Sequence, residues 1–93
     1  MTYWIQYRTA KGVPLGKREN SHTDKINNAR SKAVMKIGYT PDVTGAIYLN
    51  KDSRYPVGFV FYDERFDVHV WSDYRTRGAY FVNSEGIISK IGE

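Results

Sequence analysis

The sequence predicts an α+β fold, in which one mainly antiparallel sheet of five or six strands packs a single helix on one face, in the order β-(β)-α-β-β-β-β-β. Residues 57–74 contain two apolar runs separated by a polar turn, which is typical of a β-hairpin at the centre of a sheet. Residues 22–37 repeat their apolar side chains at helical spacing. The 93 residues are expected to form a single domain, residues 1–93, with one modest core.

The polarity pattern of the central hairpin predicts its register. Side chains of a strand alternate between two faces, so an even-numbered loop places Phe61 opposite Val68. The same loop places Phe59 opposite Val70, and these four apolar residues are predicted to face the core. An odd-numbered loop would instead set apolar residues against polar ones.

The second face of the hairpin is predicted to be uncovered by the helix, because one helix covers only one face of such a sheet. Either the N-terminal strands fold over it or a partner binds it. The residues expected on this face are Trp4, Tyr48, Val60, Tyr62, Asp67, His69 and Trp71.

The N-terminal part is predicted to form a strand, a turn and the helix. Residues 3–8 alternate β-forming side chains, and residues 15–19 are expected to return as a short, charged strand. Ser21 and Asp24 fit a capping box, with Ser21 as the N-cap of a helix that ends at Gly38.

Two residues depart from the apolar pattern of the predicted helix. Arg30 falls within the apolar arc and is expected either to extend toward solvent or to pair with a carboxylate. Met35 falls on the opposite, polar side. Lysines align on one flank of the helix and form a basic stripe.

Three more strands are expected at residues 46–50, 78–82 and 87–91. The last two are joined by a turn in which Gly86 would adopt the left-handed conformation. The face that these two strands bury stays open, because both alternations of their side chains are apolar.

Composition excludes several classes of site and favours a cytoplasmic location. The chain contains no cysteine, which excludes disulfides and thiolate metal sites and fits a reducing compartment. Its N-terminus resembles no signal peptide, and no run approaches the length of a membrane span. We therefore expect no membrane partner.

The charges are unevenly distributed along the chain. Residues 1–40 carry eight basic and two acidic side chains, a net charge of +6, whereas residues 41–93 carry six basic and eight acidic ones, or −2. This asymmetry indicates a polyanion or an acidic protein as partner of the N-terminal half. A solubilising surface with chance asymmetry explains it equally well.

No catalytic, cofactor or metal signature is recognisable. Residues 12–18 come nearest to a phosphate-binding loop, but their glycines are one residue too close together and the Ser/Thr is missing. The two histidines, His22 and His69, lie in different elements, so no zinc site is expected. His69 has two interpretations: an acid/base oriented by Asp67, or, more often for such a residue, a structural strand position.

A non-enzymatic protein-interaction module is the first functional hypothesis. Trp, Tyr and Arg side chains dominate the energetic centres of protein interfaces. The expected partner is another protein or a second copy of the chain, bound through an aromatic sheet face. The candidate protein-binding residues are Tyr62, His69, Trp71, Tyr74, Arg75 and Arg77.

A nucleic-acid-binding domain is the alternative, because lysines and arginines of the N-terminal hairpin and helix could neutralise phosphates. Its candidate residues are Lys17, Arg18, Lys25, Lys32 and Lys36.

A metal-independent ribonuclease-type toxin is the second alternative. Its candidate residues are Arg65, His69, Tyr74, Arg75 and Arg77. The order of an opening strand, a helix and later strands resembles the RelE/ParE toxin superfamily, with a turn and one helix in place of that superfamily's helical pair. In layout, residues 1–37 also resemble the arm-binding domains of phage integrases.

Overall fold

The structure is a computed structural model that describes residues 2–91. Its elements are β1 (Trp4–Thr9), β2 (Glu19–Asn20), α1 (Ile26–Ile37), β3 (Val43–Tyr48), β4 (Gly58–Asp63), β5 (Val68–Asp73), β6 (Ala79–Val82) and β7 (Ile88–Lys90). The predicted α+β class, the antiparallel sheet and the single helix are confirmed. The sheet has seven strands rather than five or six, because the last three apolar runs and both N-terminal runs all pair.

The strands form one antiparallel sheet in the order β2-β1-β3-β4-β5-β6-β7. From β4 onward each strand pairs with its predecessor, as short connections favour. The exception is β1, which pairs with β3 after the chain has passed through β2 and α1. The helix therefore returns across the sheet and packs on β1, β3 and β4.

The helix covers the face of the central hairpin that the sequence predicts to be uncovered, so the predicted assignment of faces is wrong. Val60 and Trp71 lie opposite each other on β4 and β5 and belong to the core cluster that includes the helix. Phe59 and Phe61 alternate with Val60 along β4 and point to the other side of the sheet.

The flanking strands explain this outcome. Ile5 of β1 and Ile47 of β3 pair with each other on the same side as Val60, whereas Gln6 and Thr44 lie on the side of Phe61. The hairpin by itself offers two apolar faces. The sheet as a whole is more apolar on the side of Val60, and that side meets the helix.

The register of the hairpin differs from the prediction by two residues. Phe61 pairs with Val70 instead of Val68, and Phe59 pairs with Ser72 instead of Val70. Residues 64–67 form the loop, so the predicted even number of loop residues is confirmed. Because the shift is even, the same side chains remain together on each face.

The helix begins four residues later than predicted, and Ser21 is not its N-cap. The Ser21 hydroxyl and its backbone N–H both donate to the carbonyl of Tyr3, at 2.6 and 3.0 Å, which ties Ser21 to the start of β1. Lys25 occupies the N-cap without a side-chain hydrogen bond. The predicted end at Gly38 is confirmed, with a φ of 58°. This helix is neither long nor apolar enough to cross a membrane.

Both expectations for Arg30 are wrong, since it neither reaches solvent nor pairs with a carboxylate. Its side chain is buried, and Nε donates to the carbonyl of Gly86 at 2.8 Å while Nη2 donates to Oδ1 of Asn27. The predicted left-handed Gly86 is confirmed by its φ of 78°. Met35 is 72% exposed, as expected of the polar side.

The terminal strands, whose faces the sequence leaves open, present Tyr80 and Val82 to the helix side. Tyr80 pairs with Trp71, and Val82 is part of the core cluster. Ala79 and Phe81 lie on the opposite side. This places an additional phenylalanine on the face that the helix leaves free.

Candidate functional site

Five of the six predicted protein-binding residues fall into two groups at opposite ends of β5, and the sixth, Trp71, lies in the middle of this strand. Trp71 is 1% exposed and lies in the core, so its ring is not available to a partner. Tyr62 and His69 pair with each other near the hairpin loop and are half-buried on the helix side. Tyr74, Arg75 and Arg77 follow β5 in the loop that leads to β6.

His69 is held against the end of the helix. Its Nε2 lies 2.6 Å from the carbonyl oxygen of Gly38, and because a carbonyl only accepts, Nε2 carries the proton and donates it. The rings of Tyr39 and Tyr62 pack beside it, with centroids 6.0 and 5.2 Å away. These contacts describe a structural link between β5 and the C-terminus of α1.

Asp67 does not serve as the predicted orienting group for His69 but accepts a hydrogen bond from Tyr62. The Tyr62 hydroxyl lies 2.6 Å from Oδ1 of Asp67. This hydrogen bond is the main reason why the pKa of Tyr62 is raised to about 12. Asp67 itself has a φ of 52°, as befits the last residue of the hairpin loop.

The residues of the ribonuclease hypothesis are not brought together. His69 and Tyr74 are five residues apart along an extended chain, or about 16 Å. Arg65 lies at the hairpin loop and forms an ion pair with Asp63 at 3.2 Å. Arg75 and Arg77 lie beyond the other end of β5. His69 therefore lacks the arginine clamps that the hypothesis assigns to it.

The side of the sheet opposite α1 presents an apolar surface, here called the open face. Phe61, Val70 and Phe81 lie side by side on β4, β5 and β6. Phe59 and Val68 lie next to this row on the same side. All strands of residues 2–91 belong to this one sheet and the helix lies on its other side, so neither a helix nor a second sheet covers the open face. Chain segments cover its two ends: Gln6 donates to the carbonyl of Gly16 beside the buried Tyr48, and the ring of Tyr74 packs on Phe59.

The centre of the open face carries no charge. Phe61 has Thr44 as its neighbour on β3, and Phe81 has Ser89 as its neighbour on β7. The charged residues stand at its edges and are engaged there: Arg8 donates to the carbonyl of Gly12, and Asp63 accepts from Arg65. An uncharged apolar centre with a polar rim is the anatomy of a protein interface.

Arg18, a predicted nucleic-acid ligand, is instead used to close one end of the open face. Its guanidinium lies 3.5 Å above the ring of Tyr48. Its Nη1 donates to the carbonyls of Lys51 and Ser53 at 2.8 and 2.9 Å. Tyr48, Lys51 and Ser53 lie 30 or more positions away from Arg18 in sequence, so no local pattern could have indicated this role.

The other predicted phosphate ligands are only partly available. Lys36 forms an ion pair with Glu19 at 2.7 Å and lies over the ring of Tyr7. Lys17, Lys25 and Lys32 are exposed and form no ion pair within residues 2–91. The basic stripe along the helix therefore retains two of its three lysines, Lys25 and Lys32.

Tyr74, Arg75 and Arg77 line an open cleft of about 830 Å³ at the end of the sheet. Its other wall is the β3–β4 loop, which contributes Arg54 and Tyr55. These two residues are absent from the sequence-based candidates. The two loops lie close together because β4 and β5 pair with each other, with Gly58 at the start of β4 opposite Asp73 at the end of β5.

Within residues 2–91, no group of three or more histidine, aspartate or glutamate side chains could hold a metal ion. Comparison of the chain with protein-family models, with curated proteins and with solved structures found no match. The candidate sites therefore stand on the geometry of this chain itself.

Proposed function

We propose that this protein is a non-enzymatic interaction module that binds a protein surface through its open face, and that the partner is a second copy of the chain. The uncharged row of Phe61, Val70 and Phe81, in which the two half-buried phenylalanines flank the buried valine and no helix or second sheet covers them, is the observation that carries the proposal. Binding through an aromatic sheet face is thus kept from the sequence-based hypothesis, but the proposed face is the opposite side of the sheet.

A second copy fits this surface because the open face is complementary to itself. Sheets pack face to face about 10 Å apart with interdigitating side chains. A two-fold axis through the row would set phenylalanines against phenylalanines and valines, with no like charges opposed at the centre. A charged or strongly polar partner would leave these rings unmatched.

The area of the open face determines how strongly two copies are expected to associate. The part of the face that stays uncovered spans β4, β5 and β6, three strands about 4.8 Å apart and at most roughly 18 Å long, which gives about 250 Å². Two copies would thus bury about 500 Å² in total, less than stable specific interfaces bury, and we expect weak, reversible association. Each copy carries a net charge of +4, so salt should strengthen the dimer by screening the repulsion between copies.

Sedimentation equilibrium over a range of protein and salt concentrations tests this proposal. Phe61→Glu places a charge at the centre of the face in both copies and should weaken association at least tenfold. Phe61→Thr, a milder change to a polar β-former, should weaken it in the same direction. Phe66→Glu is the matched control, because Phe66 is exposed in the hairpin loop, and it should associate as the unmodified chain does.

Circular dichroism of each variant verifies that the sheet is retained. An unmodified chain that stays monomeric at about millimolar concentration and high salt would overturn the proposal. Equal association of folded Phe61→Glu and Phe66→Glu would do the same.

A further inference from the structure

The cleft at the end of the sheet is built by two loops whose positions are fixed by backbone hydrogen bonds. Val57 donates to the carbonyl of Ile47 at 2.6 Å, and Tyr74 donates to the carbonyl of Val57 at 3.0 Å. The β3–β4 loop and the β5–β6 loop therefore lie side by side across the start of β4. These backbone hydrogen bonds, which continue the pairing of the strands, fix the position of the cleft between the two loops.

Two tyrosines form an aromatic platform in this cleft. The rings of Tyr55 and Tyr74 are stacked, with centroids 5.9 Å apart and an angle of 29° between their planes. Tyr74 is held from behind by Phe59, whose ring meets it edge to face at 6.5 Å. Tyr55 is 63% exposed, so it remains accessible to a ligand.

Three arginines line the same cleft without a carboxylate partner. Arg54, Arg75 and Arg77 are exposed, and the ion pairs within residues 2–91 involve other residues, Lys36 with Glu19 and Arg65 with Asp63. Arg77 lies over the ring of Tyr74 at 5.4 Å. Within residues 2–91, the side chains of Arg54 and Arg75 form neither an ion pair nor a cation–π contact.

Asp73, the acidic residue of the cleft, is directed at the backbone. Its Oδ1 accepts hydrogen bonds from the N–H groups of Arg75 and Thr76, both at 3.0 Å. These bonds, with that from Arg77 N–H to the carbonyl of Asp73, order the loop. Arg77 adopts a φ of 65°, which is uncommon for a residue with a side chain and shows that the loop holds it in place. The cleft keeps a net positive charge, three cations against one anion.

From this geometry we infer that the cleft binds a short stretch of single-stranded nucleic acid, with a base stacked on Tyr55, which Tyr74 supports from its other face, and phosphates held by Arg54, Arg75 and Arg77. Stacking platforms beside a basic groove are how proteins bind unpaired strands without reading sequence. The carboxylates of an acidic peptide would satisfy the arginines alone, whereas every nucleotide of a strand supplies both a phosphate and an aromatic base.

Because the cleft is open to solvent, we expect it to bind a nucleic-acid strand rather than a free nucleotide. Small-molecule sites enclose most of their ligand, whereas this cleft lies open at the end of the sheet between two loops. A strand gains from several weak contacts at once. Three phosphate contacts on a single strand predict that a plot of log affinity against log salt concentration falls with a slope of about −2.

Fluorescence anisotropy with a labelled oligothymidylate of about eight nucleotides, within the usual site size of such platforms, tests the inference. The double change Arg75→Ala with Arg77→Ala should reduce affinity at least tenfold. Lys25→Ala with Lys32→Ala is the matched control, because it removes the same charge from the exposed helix flank, and it should change affinity by no more than about twofold. Tyr55→Ala should also weaken binding, and Tyr55→Phe, which keeps the stacking plane, should not.

Three results would overturn the inference. One is the absence of binding by the unmodified chain at low salt. Another is a helix-flank control that loses as much affinity as the cleft variant. The third is competition by duplex DNA or by a mononucleotide at the same concentration as the oligonucleotide. The assay is run at submicromolar protein, so its outcome does not depend on association through the open face.

Discussion

The guanidinium carbon of Arg30 lies 4.9 Å from the centroid of the Trp71 ring, in the interface between α1 and the sheet. Both side chains are buried, at 6% and 1% exposure. Arg30 also donates to the carbonyl of Gly86, so a single side chain connects the helix, the central strand and the β6–β7 turn. Burial lowers the pKa of Arg30, but an arginine keeps its charge under ordinary conditions, and the Trp71 ring and the carbonyl accommodate it.

Replacement of Arg30 by methionine is expected to destabilise the fold by about 2–3 kcal/mol, because the carbonyl of Gly86 loses a charged donor and the cation–π contact disappears. Arg30→Lys should destabilise the fold less than Arg30→Met does, since lysine keeps the charge but lacks the planar guanidinium group. Urea unfolding followed by Trp fluorescence measures the effect. Lys32→Met, exposed on the same helix, is the control and should change stability by less than about 0.5 kcal/mol. An Arg30→Met protein as stable as the unmodified chain would show that the buried charge contributes nothing net.

Gly58 provides the space that the Trp71 ring occupies on β4. A Cβ at residue 58 would lie 2.3 Å from Cζ2 of Trp71, closer than any tolerated contact. Gly58→Ala should therefore cost about 1–3 kcal/mol by overpacking and shift the near-UV circular dichroism of the tryptophan. Gly45→Ala, on the neighbouring strand and the same face, would meet Tyr7 and Ala33 at 3.3 and 3.4 Å and should cost less. The opposite ranking of these two variants would contradict the observed position of the ring.

The fold class could be predicted from the sequence because it depends on local periodicity. The helix end at Gly38 and the even hairpin loop also follow from neighbouring residues. The face that the helix covers could not be predicted, since the hairpin has apolar residues on both sides. The helix packs on the side of Val60 because Ile5 and Ile47, on other strands, lie on that side. For the same reason, Ser21 resembles a helix cap but binds the carbonyl of Tyr3.

The candidate sites show the same limit. Tyr74, Arg75 and Arg77 were predictable as a polar, aromatic loop, but the opposite wall of their cleft, with Arg54 and Tyr55, follows from strand pairing alone. The sequence predicts that Trp71 belongs to an uncovered face because it shares that strand face with the polar residues Asp67 and His69. It is buried because Gly58 and Arg30 enclose it from two other elements.

Gly86 has a left-handed backbone conformation and also lies in close contact with the helix. Gly16 has the same conformation without such a contact, so comparing the two glycines separates the cost of the conformation from that of the contact. A Cβ at residue 86 would lie 1.7 Å from the carbonyl oxygen of Asn27, whereas Gly16, with the same φ of 78°, has open space around it. Gly16→Ala should cost about 1 kcal/mol for the backbone conformation alone. Gly86→Ala should cost about 2 kcal/mol more, because the turn must move away from α1 and weaken the hydrogen bond from Arg30. Equal losses in urea unfolding would show that the turn is not seated on the helix.

Alkaline pH is expected to destabilise the fold through Tyr7. Burial, and after it the negative charge of Glu19, raises the pKa of Tyr7 above its usual value near 10. The folded state thus holds the phenol proton more tightly than the unfolded state. This stabilisation is complete below about pH 10 and is lost as the pH rises above it, by at most about 1.4 kcal/mol per pH unit for each proton. Tyr7→Phe should make the fall in unfolding free energy above pH 10 shallower, while Tyr55→Phe, at an exposed ring, should leave it unchanged. A Tyr7→Phe profile as steep as that of the unmodified chain would assign the alkaline loss to other groups, Tyr62 first among them because its hydrogen bond to Asp67 raises its pKa to about 12.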